Sequence, residues 1–290
     1  MPNIPTRVAV VTNSAIVLPP EVIRDNSIRL VPPSFTMDGR TYRDEGDVPM
    51  EDIYAYLEQD KPFLTTPGSP HDYLEAYREV SQWASAIVCL TIPKELSTMF
   101  DSARTAMEMA KEVIPEVSIQ VLDCGNLAGV QGLIVLAAAT RAMAGDSLKQ
   151  VITAAEAAIG ATCIFLLFKT VRYTARTGRL PEVLARVGTL LSIKALVTIT
   201  NGRVRMVSLH RSMKAGIQRL IKVTAKKVGD TRVTAIVMHS GYLKEVEQLT
   251  VQIRDQLPCT RVWLGRFSLI MAYIAGPGAL GVAFCTTSLL

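Results

Sequence analysis

Short apolar runs and longer amphipathic stretches take turns along the first half of the chain. Residues 8–12 (VAVVT) form a β-branched run, which predicts a strand. The polar turn Asn13-Ser14-Ala15 follows, and Leu18-Pro19-Pro20-Glu21 opens a helix, where proline in the first turn gives up no hydrogen bond. Residues 28–35 predict a second strand, broken by Pro32-Pro33, and Asp38-Gly39 predicts a hairpin turn. Residues 49–57 are helical. The turn formers Thr65-Thr66-Pro67-Gly68-Ser69-Pro70 then lead into a helix carrying Tyr73, Leu74 and Tyr77. Residues 85–91 and 117–123 predict strands, and residues 97–113, 129–143 and 148–159 predict helices. Continuous apolar runs flanked by helices fit a parallel sheet covered on both faces. The first half therefore predicts a doubly wound, mostly parallel α/β sheet.

The pattern changes near residue 160. Residues 163–168 predict a strand, and 171–191 are polar and helical with breaks at Gly178 and Gly188. Residues 192–200, 203–209, 234–239 and 261–265 predict strands, and Asn201-Gly202 joins the first two as a hairpin. Helices are expected at 213–227 and 243–257. The expected architecture is thus two α/β domains. Residues 1–160 form an N-terminal doubly wound domain, and residues 161–290 a C-terminal mixed α/β sandwich.

Composition narrows the function classes. Of 290 residues, 49% are hydrophobic and 20% charged, which is a globular balance. The apolar stretches 132–139 and 157–168 fall short of the ~20 residues that span a bilayer. The first residues lack the basic and apolar regions of a secretory signal. Cys89, Cys124, Cys163, Cys259 and Cys285 are odd in number, scattered and without a CxxC pair. They read as structural thiols in a reducing, cytoplasmic setting rather than a metal site. The net charge of +5 is mild, and its densest segment, 203–227, has no interleaved aromatic residues. A solvated helix face accounts for that segment better than a nucleic-acid surface.

No catalytic signature stands out. His71, His210 and His239 share no metal-ligand spacing, and there is no Walker loop, GxGxxG, HExxH or nucleophile elbow. The informative feature is a set of hydroxyl-bearing segments where strands give way to helices: Thr12-Asn13-Ser14, Thr65-Thr66 and Glu95-Leu96-Ser97-Thr98. Ser14, Ser69 and Ser97 also stand where each would cap a helix. In open α/β sheets ligands lie outside the carboxyl ends of the strands. Three such segments at one sheet edge point to a carboxylate or phosphate site.

A second line of reading starts from the order of short motifs. Thr12-Asn13-Ser14-Ala15 with Leu18-Pro19 resembles the Asp-Ser-Thr/Ser-x-Asp-Leu-Pro opening of the DegV family. Tyr42-Arg43-Asp44 with Asp47 resembles its Tyr-x-Asp stretch. Thr65-Thr66-Pro67-Gly68-Ser69-Pro70 resembles the Thr-Ser-Gln-Pro-Ser-Pro loop. Leu96-Ser97-Thr98-Met99 with Ser102-Ala103 resembles Leu-Ser-Gly-Thr-x-x-x-Ala. Val121-Leu122-Asp123, residues 173–180, residues 190–194 and Gly276-Pro277-Gly278-Ala279 follow in family order.

This resemblance implies a non-enzymatic carrier of a long-chain fatty acid, held between two domains, with no other cofactor. Its implied partners are the fatty acid and, in some members, a separate fatty acid kinase, together with transient membrane contact and no nucleic acid. By position, Thr65 and Ser97 match the carboxylate-binding hydroxyls, with Thr66, Ser14 and Arg179 as neighbours. The acyl chain is expected along Phe165, Leu167, Ile193, Phe267, Ile270 and Ile274. The chain departs from the family at Asn13, where Asp is usual, and at Thr98 and Thr177, where Gly is usual. The loop carries Pro67-Gly68 in place of Gln-Pro. Ile274 stands where a histidine usually precedes Gly-Pro-Gly, which removes a donor. The rival expectation is a small-molecule hydrolase or phosphotransferase using the same crevice. It lacks an identifiable base beside Ser97.

Overall fold

The computed structural model describes residues 7–44, 46, 48–59, 61–178, 192–241 and 243–290. Arg179, Asp47 and the motif residues Leu190 and Leu191 lie outside them.

The first sheet is fully parallel. Strands β1 (Val8–Asn13), β2 (Arg29–Val31), β6 (Ala86–Thr91) and β7 (Ser118–Asp123) pair in the order β2-β1-β6-β7. The chain moves outward from β1 to β2 and later outward the other way from β6 to β7. The strand order therefore reverses between β1 and β6, and a crevice opens at their carboxyl ends. Along β1 the alternate residues Ala9 and Val11 pack under helices α3 (Pro70–Ser81) and α4 (Met99–Val113). Val8 and Val10 face the opposite core. Such two-sided burial explains the unbroken apolar runs.

A second, smaller sheet sits at the carboxyl edge. The Pro32-Pro33 break separates β2 from β3 (Ser34–Met37), which turns at Asp38-Gly39 into β4 (Arg40–Arg43). On its other side β3 pairs with β5 (Phe63–Thr66), so Thr65 and Thr66 belong to a strand where the sequence predicts a loop. Helix α1 (Pro20–Asp25) joins β1 to β2, and α2 (Met50–Glu58) joins β4 to β5.

The third sheet is mixed. Strands β8 (Thr162–Phe168), β9 (Lys194–Thr200), β10 (Arg203–His210), β11 (Val233–His239), β12 (Cys259–Arg266) and β13 (Leu280–Thr286) run in the order β10-β9-β8-β13-β11-β12. Asn201 and Gly202 both hold positive φ, 49° and 71°, the conformation a two-residue hairpin between β9 and β10 demands. Strand β13 is a central strand that the sequence reading leaves as an unassigned closing segment. Gly281 hides it: an added Cβ there would stand 2.7 Å from Leu166 Cδ2, so close strand packing excludes a side chain.

Helices α5 (Ala128–Met143) and α6 (Leu148–Ala161) lie between the first and third sheets. Residues 128–139 of α5 are all buried, because both flanks of the helix meet a sheet. Glycines permit that approach. A Cβ on Gly132 would come within 2.7 Å of the Val17 carbonyl, and one on Gly129 within 2.8 Å of Ala283 and Met238. Ser147 starts α6 with a reciprocal capping box to Gln150. Helices α8 (Met213–Val228) and α9 (Leu243–Gln256) cover the far face of the third sheet. Two shorter helices, α7 (Arg172–Thr177) and α10 (Leu269–Ala275), pack on each other beside the small sheet. The layers are helix, sheet, helix, sheet, helix, with strand ends and short helices meeting above α5.

Candidate functional site

An apolar slot opens at the reversal point of the parallel sheet. Its empty space, counted out to the open mouth, is about 760 Å³. It is narrow, so a water-sized sphere has little room to move along it.

Four parts of the chain build it. The parallel sheet contributes the residues just past its strand ends: Ala15 after β1, Ile92, Leu96, Ser97 and Met99 after β6, and Leu127 at the start of α5. The small sheet brings Thr65 on β5 and the following Pro67. The third sheet presents Leu166 and Phe168 of β8, Val197 and Ile199 of β9, and Val204 of β10. Helix α10 closes the wall with Ile270, Met271, Ile274 and Ala275. Among these residues only Thr65 and Ser97 carry a polar side chain, and none carries charge.

Local structure fixes both hydroxyls. Thr65 is opposite Phe35 across the β3–β5 pair. Phe35 and Phe63 stack at 5.5 Å between centroids, and Phe63 meets Tyr273 of α10 at 4.7 Å, so the small sheet and α10 share one aromatic contact. Ser97 lies in the turn before α4. Its N–H donates to the Pro93 carbonyl at 3.1 Å, and its Oγ accepts from Met99 N–H at 3.3 Å. The Ser97 oxygen is thus oriented by the helix start, and its O–H stays available as a donor. Among the described residues none accepts a hydrogen bond from the side-chain hydroxyl of Thr65 or Ser97.

The other expected head-group residues fall elsewhere. Ser14 is not a helix cap, since α1 starts six residues later; its hydroxyl donates to Asp44 Oδ2 at 3.4 Å. Thr66 is exposed beside Ser34 and faces away from the slot. The structure brings Thr65 and Ser97 together and leaves Ser14 and Thr66 outside the lining.

The apolar wall needs a correction. Ile270 and Ile274 line the slot, but Phe165, Leu167, Ile193 and Phe267 do not. Side chains alternate across a strand. Phe165 and Leu167 point to the far face of β8, where they pack with Leu220 and Ile221 of α8. Leu167 fills the space over Gly216, which has no side chain to displace it. Their neighbours Leu166 and Phe168 occupy the slot face. Ile193 packs half-buried on the central core just before β9, and Phe267 is buried there before α10, its N–H on the His239 carbonyl at 2.9 Å. Val197, Ile199 and Val204 also escaped the sequence reading. The hairpin register held a usable signal: Val204 pairs with Ile199, so these three share one face.

The histidines stand apart from the slot. His71 is exposed, His210 contacts Ser208 Oγ at 2.8 Å, and His239 accepts from Gly241 N–H at 3.3 Å through Nδ1. Among the described residues no three His, Cys, Asp or Glu side chains are grouped to hold a metal, and no helix is long and apolar enough to cross a membrane.

Comparison with known proteins gives consistent results. The family model described as "Uncharacterised protein, DegV family" matches residues 7–287. A DegV domain-containing protein of Streptomyces coelicolor is 28% identical over 277 residues, covering 95% of this chain and 97% of that protein. The structure described as "Fatty Acid Binding of a DegV family Protein from Thermus thermophilus" superposes with a TM-score of 0.89 at 26% identity, covering 97% of this chain and 100% of that one. DegV of Bacillus subtilis, described as a fatty acid binding protein, shares the fold with a TM-score of 0.87 at 21% identity, covering 97% and 100%.

Proposed function

The chain belongs to the DegV family, and from that premise we propose that it binds a long-chain fatty acid in the slot, with the carboxylate on Thr65 and Ser97. One observation carries the reading: among the described residues, a narrow apolar slot has just two polar side chains, both neutral hydroxyls, from two separate parts of the chain. A methylene chain suits such walls, and a carboxylate accepts hydrogen bonds from such a pair.

The magnitudes support it. Burying about fifteen methylenes at ~0.8 kcal/mol each releases roughly 12 kcal/mol. Ordering the chain and losing its translational freedom consume several of these. Each charge-assisted hydrogen bond adds about 1.5–3 kcal/mol. The acyl chain therefore supplies most of the affinity, and the hydroxyls fix its direction. Ile274 strengthens that division, since its apolar side chain lines the slot. In this reading the protein acts as a carrier in the cytoplasm and presents the carboxylate to a fatty acid kinase.

Native mass spectrometry with lipid extraction tests the proposal. One acyl chain per monomer is expected after purification from cells. Thr65→Ala and Ser97→Ala should each weaken stearic acid binding about tenfold or more. Protein that stays empty when stearic acid is added overturns the reading. A hydrolytic activity lost in Ser97→Ala with acyl binding intact would favour an enzyme instead.

A further inference from the structure

Asp44 touches three parts of the slot's frame without lining it. Its own N–H donates to the Pro33 carbonyl at 2.9 Å, which ties it to the base of the small sheet carrying Thr65. Its Oδ2 accepts from Ser14, in the β1 loop that leads to Ala15. Its Oδ1 accepts from Leu269 N–H at 3.3 Å, and the Ile270 N–H and the Ser268 hydroxyl lie on the same side and favour its charged form. These three residues form the start of α10, whose Ile270, Met271 and Ile274 wall the slot. A single residue thus joins the three: its backbone N–H holds the small sheet, and its carboxylate holds the sheet-edge loop and the slot-lining helix.

All of these donors are neutral. Arg43, the preceding residue, pairs with Asp72 at 2.7 Å, and Arg266 on β12 faces Glu51 at 3.6 Å. His239, buried at the end of β11, is held by Gly241. Among the described residues no charged group acts on Asp44; Glu45 and Asp47 flank it in sequence outside them. Burial consequently pushes the carboxyl up to about 6, against the partial relief its hydrogen bonds give.

We propose that Asp44 is a positioning residue for ligand binding: it seats α10 against the Ser14 loop and makes the slot's grip on an acyl chain depend on pH. The proposal rests on the fatty-acid reading of the slot. The sign follows from linkage. With the contact broken Asp44 is solvated and titrates at its ordinary 3.8; with the contact formed it titrates near 6. The seated state binds the proton more tightly. Lowering the pH from 8 to 5 therefore favours the seated state, by about tenfold.

The test is the dissociation rate of labelled stearic acid between pH 5 and pH 8 in the native protein, Asp44→Asn and Ser14→Ala. Titration of the ligand's own head group is common to all three and divides out. Relative to Asp44→Asn, the native protein should release stearic acid about tenfold more slowly at pH 5 than at pH 8. Ser14→Ala removes one donor to the carboxylate, so its midpoint should move to higher pH. Identical pH profiles for the native protein and Asp44→Asn overturn the proposal with the fatty-acid reading intact. If Asp44→Asn does not fold, an unchanged midpoint in Ser14→Ala overturns it. Failure of all three to take up stearic acid at any pH removes both.

Discussion

Leu166 and Leu167 are adjacent in one strand and serve different ends. Leu166 faces the slot, whereas Leu167 is fully buried under α8 on the other side of the sheet. Leu167→Ala should therefore lower stability by about 2–5 kcal/mol and leave stearic acid affinity unchanged. Leu166→Ala should destabilise as well, but it should also weaken binding about tenfold. Thermal unfolding and a stearic acid titration separate the two. The same pair shows what the sequence withholds at this scale. In TCIFLLF every position is apolar, so nothing in the strand says which parity faces which layer. Thr65 and Ser97 were easier to single out, because both fall in hydroxyl-bearing segments that resemble family motifs. Ser14 satisfies the same description and instead serves Asp44, a contact thirty positions away that no local pattern encodes.

Among the elements, α5 is the most constrained. It lacks an amphipathic stripe, since residues 128–139 are buried all round. Gly132 lets it approach the Val17 carbonyl, a backbone atom that cannot swing aside. Gly132→Ala should therefore cost about 1–3 kcal/mol, read as a lower denaturation midpoint with unchanged slope. The helix itself was legible from its length and apolarity. Strands β5 and β13 were not. The first reads as turn formers because Thr65-Thr66-Pro67 lacks alternation over enough residues. The second carries Gly281 within a run that only close pairing with β8 makes a strand.

Over the whole molecule, alternation of strand and helix was sufficient to expect the parallel sheet, and the Asn201-Gly202 turn to expect a hairpin in the mixed one. The slot was beyond such reading, since its walls come from four separated parts of the chain. The thiols give a global probe of this packing. Burial pushes Cys89 and Cys285 up to about 12 and Cys124 well above its ordinary value. The thiolate is the nucleophile, so these three should resist iodoacetamide at pH 8 until the protein unfolds. Cys163 and Cys259 are only partly buried and should label first, as peptide mapping would show.

Helix α5 fills the seam between two sheets, and neither sheet possesses a private interior on that side. A chain severed near residue 160 would leave one fragment with the helix and no second wall, and the other with a bare greasy plane. Such fragments invite clumping rather than autonomous folding. The halves on either side of residue 160 share that buried helix, so each expressed alone should precipitate where the whole chain stays monodisperse.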